Sequence, residues 1–295
     1  MISKDQIVTL VSSTPLVTEE ISNYFKKDLS FSVSKTNSLS ENALDLYVNS
    51  LSDEDKQVLR KYFFSKKVDI CIQDNSVREK KILLADMDAT MIANETLDDL
   101  VKISGVKANI DETSRLAMEG KIDIRTTLST RVNYLKDKPK SLIQDVLSKI
   151  VFHPGSDILI KTLNKKRFIT SLVTGGFAPI STYVGDRLGF QNVISNEFKF
   201  ENDCFTGEYI PITGEKNSKL NYLNKITQEN GIDTSQVVAV GDGANDLGML
   251  TNCGLGVGYH SHQIVRDQVE NQIFFNDLTT ILYYLGFCKE EFSLS

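Results

Sequence analysis

Cysteine and histidine are scarce in this chain. Its four cysteines, Cys71, Cys204, Cys253 and Cys288, show no C-x-x-C spacing, which excludes a structural zinc site and a disulfide framework and leaves reduced, buried thiols. The three histidines, His153, His260 and His262, are too few and too dispersed for a histidine-based metal centre. With 17 glycines and 5 prolines the chain is neither collagen-like nor proline-rich. There is no basic excess: the net charge is -6, the wrong sign for a dedicated nucleic-acid binder. No apolar run reaches membrane-spanning length. The apolar patch near the N-terminus turns acidic at Glu19 and Glu20, too early for a secretory signal. A cytoplasmic protein without nucleic-acid or membrane partners is expected.

What is present suits a packed globular protein. Hydrophobic residues make up 41% and charged residues 24% of 295 positions, enough for a core domain plus an extra module. In the first 75 residues, short alternating runs at 7–11, 31–33, 44–48 and 68–72 are interleaved with helical spacing at 18–27 and 53–66. In order they read β-α-β-β-α-β, the split βαβ or ferredoxin-like pattern. The polar stretch 73–81 reads as a linker. Beyond it, continuous apolar runs at 82–85, 168–173 and 237–240 have the texture of parallel strands buried on both faces. A helical stretch, roughly 95–148, separates the first two.

Each of these three runs ends in chemistry. Asp86 and Asp88 follow the first; two apart on extended backbone, they share a face, and two adjacent carboxylates need a cation or a proton to relieve their repulsion. Thr174, Gly175 and Gly176 follow the second, where backbone N–H groups can cradle an anion. Asp242, Asn245 and Asp246 follow the third and supply hard oxygen ligands for Mg²⁺. Taken singly, each pattern is an ordinary turn. In conjunction, three strand ends in sequence order all carry anion- or metal-binding groups.

DMDAT, LVTGGF and VVAVGDGANDLGML resemble motifs I, II and IV of the haloacid dehalogenase superfamily. Within it the similarity is to the phosphoserine phosphatases, and it runs from about residue 80 to 292 through NETLDDLVKISG, AMEGKID, LSTRVNYLKDKP, LGVGYH and DLTTILYYLGF. The resemblance implies an α/β fold: a Rossmann-like core with a parallel sheet and a helical cap inserted after motif I, at about 93–150. With the ferredoxin-like, ACT-like module at 1–75, the phosphatase domain would span 80–295.

The resemblance also implies residue roles. Asp86 would be the nucleophile that forms an aspartyl-phosphate, and Asp88 the general acid and base. Thr174 stands at the motif II hydroxyl position, where the family usually has Ser, and Gly175 would give its N–H to phosphate. Lys219 matches the motif III lysine. Asp242 would bind metal with Asp86 and Asp88; Asn245 would lie on the phosphate side and Asp246 would support. Glu95 and Arg131 match a substrate-recognition pair in the cap, with Met118 lining the same pocket. Two further departures stand out: Ala89 replaces the usual Ser of motif I, and Ser261-His262-Gln263 replaces A-K-P.

The implied function is Mg²⁺-dependent hydrolysis of O-phosphoserine, the last step of serine biosynthesis, by a chain that could pair as a homodimer. The alternatives are a related small-molecule phosphatase or phosphotransferase, or a non-catalytic amino-acid sensor, which would need none of Asp86, Asp88, Lys219 and Asp242. Because no candidate site residue lies in the first 75, removing that segment is expected to leave a soluble, active core.

Overall fold

The structure, a computed structural model, describes residues 5–16, 21, 31–106, 124–213 and 217–294. Of the helix expected at 18–27 only Ile21 is among the described residues, and Met118 lies outside them.

Strands β1 (Gln6–Ser12), β2 (Val33–Ser40), β3 (Ala43–Val48) and β4 (Val68–Asp74) form an antiparallel sheet in the order β2-β3-β1-β4. That is the ferredoxin-like strand order the sequence pattern predicts. Helix α1 (Asp53–Ser65) starts at a capping box in which Ser52 Oγ accepts the Asp55 N–H at 3.1 Å and Asp55 accepts the Ser52 N–H at 3.0 Å. Its Leu59 and Phe63 pack on one face of the sheet, against Val8, Leu10, Leu44, Leu46, Ile70 and Ile72.

The opposite face is the unexpected one. Its side chains include Thr9, Asp45, Asp69 and Gln73, a polar set that alternation would assign to water. All four are buried, because this face docks on the second sheet's domain. Asp69 accepts the N–H groups of Phe274, Phe275 and Asn276 at 2.8, 3.2 and 3.0 Å. Gln73 Nε2 donates to the Tyr284 carbonyl at 2.6 Å. The Arg78 guanidinium donates to both Asp45 oxygens, at 2.7 and 2.9 Å, and to the Tyr283 carbonyl at 3.2 Å. Most polar atoms on this face have exchanged water for a partner, as burial requires; Gln73 Oε1 is the exception among the four residues.

The second sheet has seven strands: β5 (Ile82–Ala85), β6 (Ile169–Ala178), β7 (Asn192–Glu201), β8 (Cys204–Ile210), β9 (Val237–Gly241), β10 (Leu255–Tyr259) and β11 (Asn271–Ile273). Their order is β11-β10-β9-β5-β6-β7-β8, parallel except for the β7–β8 pair. Between β5 and β6 come α2 (Thr96–Ile103), α3 (Ile124–Tyr134), α4 (Leu142–Leu147) and α5 (Ser156–Lys165); α6 (Ile180–Leu188) and α7 (Ser218–Asn230) follow later. Period-two alternation sorts the central strands onto two cores. Leu83, Ala85, Leu172, Val238 and Val240 face α5 and α6. Ile82, Leu84, Val173, Val237 and Ala239 face α7 through Leu223 and Ile226. Burial on both faces explains the unbroken apolar runs. Among the described residues no helix is long and apolar enough to cross a membrane.

β9, β5 and β6 are direct neighbours, so the three motif-bearing strand ends meet at one edge of the sheet. This is the crevice where open parallel sheets bind ligands. Two strand boundaries differ clearly from expectation: the strand read at 31–33 spans Val33–Ser40 as β2, and the one read at 168–173 is longer. β6 does not stop at Val173 but runs to Ala178, because its pairing with β7 resumes at Phe177 after a register shift. Thr174–Gly176 is therefore a bulge within a strand, and the bulge takes these residues out of the β6–β7 ladder.

The docked polar face changes the expectation for truncation. Deleting residues 1–75 should yield an aggregated fragment, since it uncovers the Tyr283–Tyr284 segment and removes the acceptor of three backbone N–H groups. Asp69→Ala in the full chain should cost on the order of 3 kcal/mol, the scale of buried donors left without a charged acceptor. Chemical denaturation measures it; a loss below about 1 kcal/mol would mean that the N–H groups find other partners.

Candidate active site

Asp86 is the first residue past β5 and is held there by donating its N–H to the Val240 carbonyl of β9 at 3.0 Å. Lys219, in the first turn of α7, reaches across to it and is only 3% exposed. Its Nζ lies 2.7 Å from Asp86 Oδ1 and 2.5 Å from Asp246 Oδ1. Asp246 turns its other oxygen back on the loop after β9, accepting the N–H groups of Asp242 and Gly243 at 3.1 and 3.0 Å. Gly241 is required here, because a Cβ would sit 2.4 Å from Asp246 Cγ. Asp242 Oδ1 accepts the Thr90 hydroxyl at 3.2 Å.

Asp88 points elsewhere. Its Oδ1 accepts the Thr96 N–H at the start of α2, at 2.9 Å. The buried carboxylates gathered within 4.8 Å of one another are Asp86, Asp242 and Asp246, and the Asp88 side chain stands outside that group. The cause is local, since the helix start offers Asp88 a backbone donor. Ala89 between these residues takes φ +51°, a left-handed turn that Ser would adopt no more easily.

The β6 bulge forms the facing wall. Thr174 Oγ1 accepts the Gly176 N–H at 2.8 Å. A Cβ on Gly176 would press on Met87 Cε at 2.9 Å and Asp88 Oδ2 at 3.2 Å, whereas one on Gly175 would meet nothing. Asn196 braces the bulge by donating to the Gly175 carbonyl at 2.9 Å. The cap supplies the roof. Glu95, Arg131, Thr127, Leu97 and Leu128 line one pocket together with Asp86, Asp88, Thr174, Gly175, Gly176 and Asn245. Arg131 is 6% exposed, and its Nη2 has no hydrogen-bond partner among the described residues; the same holds for Asn245 Oδ1.

The electrostatics are those of crowded acids. Burial, then the Asp246 carboxylate, pushes Asp86 up to about 7. Burial raises Asp88 to about 6 against the opposing Thr96 hydrogen bonds. Burial and neighbouring carboxylates hold Asp242 and Glu95 well above the usual carboxylate range. Burial opposes the Lys219 charge, but Asp246 and Asp86 outweigh it and raise its pKa. Three carboxylates against one ammonium leave a negative surplus of hard oxygen donors. That donor set fits a divalent cation of the Mg²⁺ or Mn²⁺ type.

The structure thus brings together every expected site residue within the described chain. Sequence reasoning missed four contributors. Thr90 holds Asp242, yet lies inside the motif already quoted. Asp98 stands 3.4 Å from Arg131 Nε, and its signal was its place three residues after Glu95 on a helix. Thr127 and Asn196 carried no signal. His262, at the departure from A-K-P, places Nε2 3.7 Å from Asp242 Oδ2 and donates its backbone N–H to the Asp242 carbonyl at 2.8 Å.

A parallel sheet with acids at the ends of adjacent central strands, a lysine between them and a helical cap define a class, and the chain belongs to the haloacid dehalogenase-like hydrolase family, whose family model matches residues 83–251. Its relatives narrow the class. It is 31% identical over 208 residues to the phosphoserine phosphatase of Methanocaldococcus jannaschii, covering 70% of this chain and 99% of that one. A substrate-bound phosphoserine phosphatase structure matches with a TM-score of 0.67 at 30% identity, over 70% of this chain and 98% of that chain. A HAD family hydrolase from Salmonella enterica serovar Typhi shares the fold over 96% of this chain and 98% of its own, the N-terminal sheet included, with a TM-score of 0.84 at 23% identity.

A cation entering this acid cluster should stabilise the fold by mass action. Mg²⁺ added to metal-free protein is expected to raise Tm, and Asp242→Asn to abolish the rise. An equal rise in wild type and variant would place the cation elsewhere.

Proposed function

We propose that this chain hydrolyses O-phosphoserine to serine and phosphate through an aspartyl-phosphate, with Mg²⁺ as its metal. The observation that carries the reading is the pocket's two-sided character. Asp86, Asp88 and the bulge face it from the core, while Glu95 and Arg131 face it from the cap. A phosphomonoester needs the first wall. A zwitterionic amino acid needs the second, with Glu95 for the ammonium and Arg131 for the carboxylate, which guanidinium can bind bidentately.

The chemistry follows from the residues. An Asp86 oxygen attacks phosphorus as the bond to the serine oxygen breaks. Asp88, pushed up to about 6, can hold the proton that the departing oxygen takes. It then accepts a proton from the water that attacks the acyl phosphate, which frees Asp86. Lys219, the Gly175 N–H and the Thr174 hydroxyl face the phosphoryl oxygens. Mg²⁺ held by Asp86 and Asp242 would offset phosphoryl charge and lessen its repulsion by the nucleophile. The cap, as a lid, excludes water during transfer. The proposal includes the division at 75–80 into two domains, a cytoplasmic location and pairing of two copies; sedimentation reads the last.

The direct test is phosphate release from phosphoserine with Mg²⁺, followed by trapping of the phosphoenzyme. Asp86→Asn should abolish both, because an amide is a poor nucleophile. Activity within tenfold of wild type would remove Asp86 from that role.

Specificity is tested by two substrates and two variants. Truncating one partner of a desolvated charge pair costs roughly 2–5 kcal/mol, so Arg131→Ala should lower kcat/KM for phosphoserine ~30-fold to several thousand-fold. p-Nitrophenyl phosphate has no carboxylate and should be far less affected. Lys219→Ala should harm both substrates, since it acts on the phosphoryl group they share. Equal losses on both for Arg131→Ala would make it a support of the cap and undercut phosphoserine as substrate.

A further inference from the structure

Arg131 presents an energetic difficulty. A guanidinium only 6% exposed, with neither Nε nor Nη2 hydrogen-bonded among the described residues, is an expensive group to hold in a closed pocket. The charge that offsets it is Asp98, itself 3% exposed, on the facing helix α2 with Oδ1 3.4 Å from Arg131 Nε. At that distance the pair attracts electrostatically without a hydrogen bond. Asp98 does not line the pocket, whereas Arg131 does. The carboxylate therefore lies on the Nε side of the guanidinium, and Nη2 is left without a hydrogen-bond partner among the described residues.

We infer that Asp98 is a positioning residue for substrate specificity, holding the Arg131 guanidinium charged and aimed so that Nη2 meets the substrate carboxylate. This rests on the phosphoserine reading. A substrate carboxylate then completes a carboxylate–guanidinium–carboxylate sandwich, in which the rear charge is fixed by the fold and the front one arrives with the ligand. Pre-placement of the guanidinium spares the substrate the cost of ordering it. Thr96, Leu97 and Asp98 are consecutive at the start of α2, and the Thr96 N–H holds Asp88. One helix turn thus sets both the acid and the carboxylate clamp.

The test is Asp98→Asn, which keeps shape and removes charge, assayed on phosphoserine and p-nitrophenyl phosphate. Both substrates use Asp86, Asp88 and Lys219, so the ratio of their kcat/KM values cancels any effect of Asp98 on those groups. That ratio should fall, through a higher KM for phosphoserine, by roughly 3- to 100-fold, the span of coupling between contacting residues. In an Arg131→Ala background the same substitution should leave the ratio unchanged. An unchanged ratio in the single variant, a parallel loss on both substrates, or a protein that no longer folds would each overturn the positioning role. The phosphoserine reading fails separately, if Arg131→Ala alone does not alter the ratio.

Discussion

The structure depends on one buried ammonium. Lys219 joins Asp86 to Asp246 at distances of 2.7 and 2.5 Å, and no other cation stands among the described carboxylates of the motif loops. Burying acids at the ends of adjacent strands is costly unless a counter-charge is fixed beside them. Lys219 supplies part of that charge and does so from α7, an element outside the three strands. Asp246 is the second half of the device. With one oxygen on Lys219 and the other on two backbone N–H groups, it locks the β9 loop and leaves Asp86 and Asp242 facing the site. The remaining surplus of negative charge suits the site to a divalent cation.

This economy explains why the central sheet was legible in the sequence. Parallel strands buried on both faces must be continuously apolar, and at 82–85 and 237–240 they are. Functional groups must then wait until the strand ends, so each motif follows its apolar run directly. Of the three strands read there, only the β6 boundary was misplaced, and β7, β8, β10 and β11 were not read at all. Thr-Gly-Gly has the composition of a loop, yet it is spanned by strand pairing that resumes at Phe177, and a local pattern does not reveal a partner 20 or so residues away.

The N-terminal sheet was legible in its order, and the burial of its second face was not. Alternation correctly separated two faces, with Val8, Leu10, Ile70 and Ile72 on one side. It says nothing about whether the other side meets water or protein. Thr9, Asp45 and Asp69 look like solvent-facing residues by type, but Thr9 donates to Asp45, Asp45 also pairs with Arg78, and Asp69 accepts backbone N–H groups far along the chain. Long-range hydrogen bonding to main chain has no signature at the donor's end, because every residue but proline offers an N–H. The same blindness hid Asn196 behind the Gly175 carbonyl.

The cap shows the complementary limit. Glu95 and Arg131 were found by resemblance to a family, not by periodicity; on composition alone they are helix-end and helix-surface charges. The geometry adds what resemblance lacked, the reason a buried arginine is tolerable at all. Asp98 offsets its charge from the Nε side, and α2 delivers Asp98 and the Thr96 N–H within one turn. A shift of α2 would therefore move the proton-holding carboxylate and the guanidinium together. On the proposed reading, recognition of the amino-acid end of a substrate and readiness of the acid at its phosphate end would rest on one element. On that reading an ester lacking the amino-acid groups would have no hold on α2 through Arg131, so discrimination would arise in assembling the site as well as in filling it.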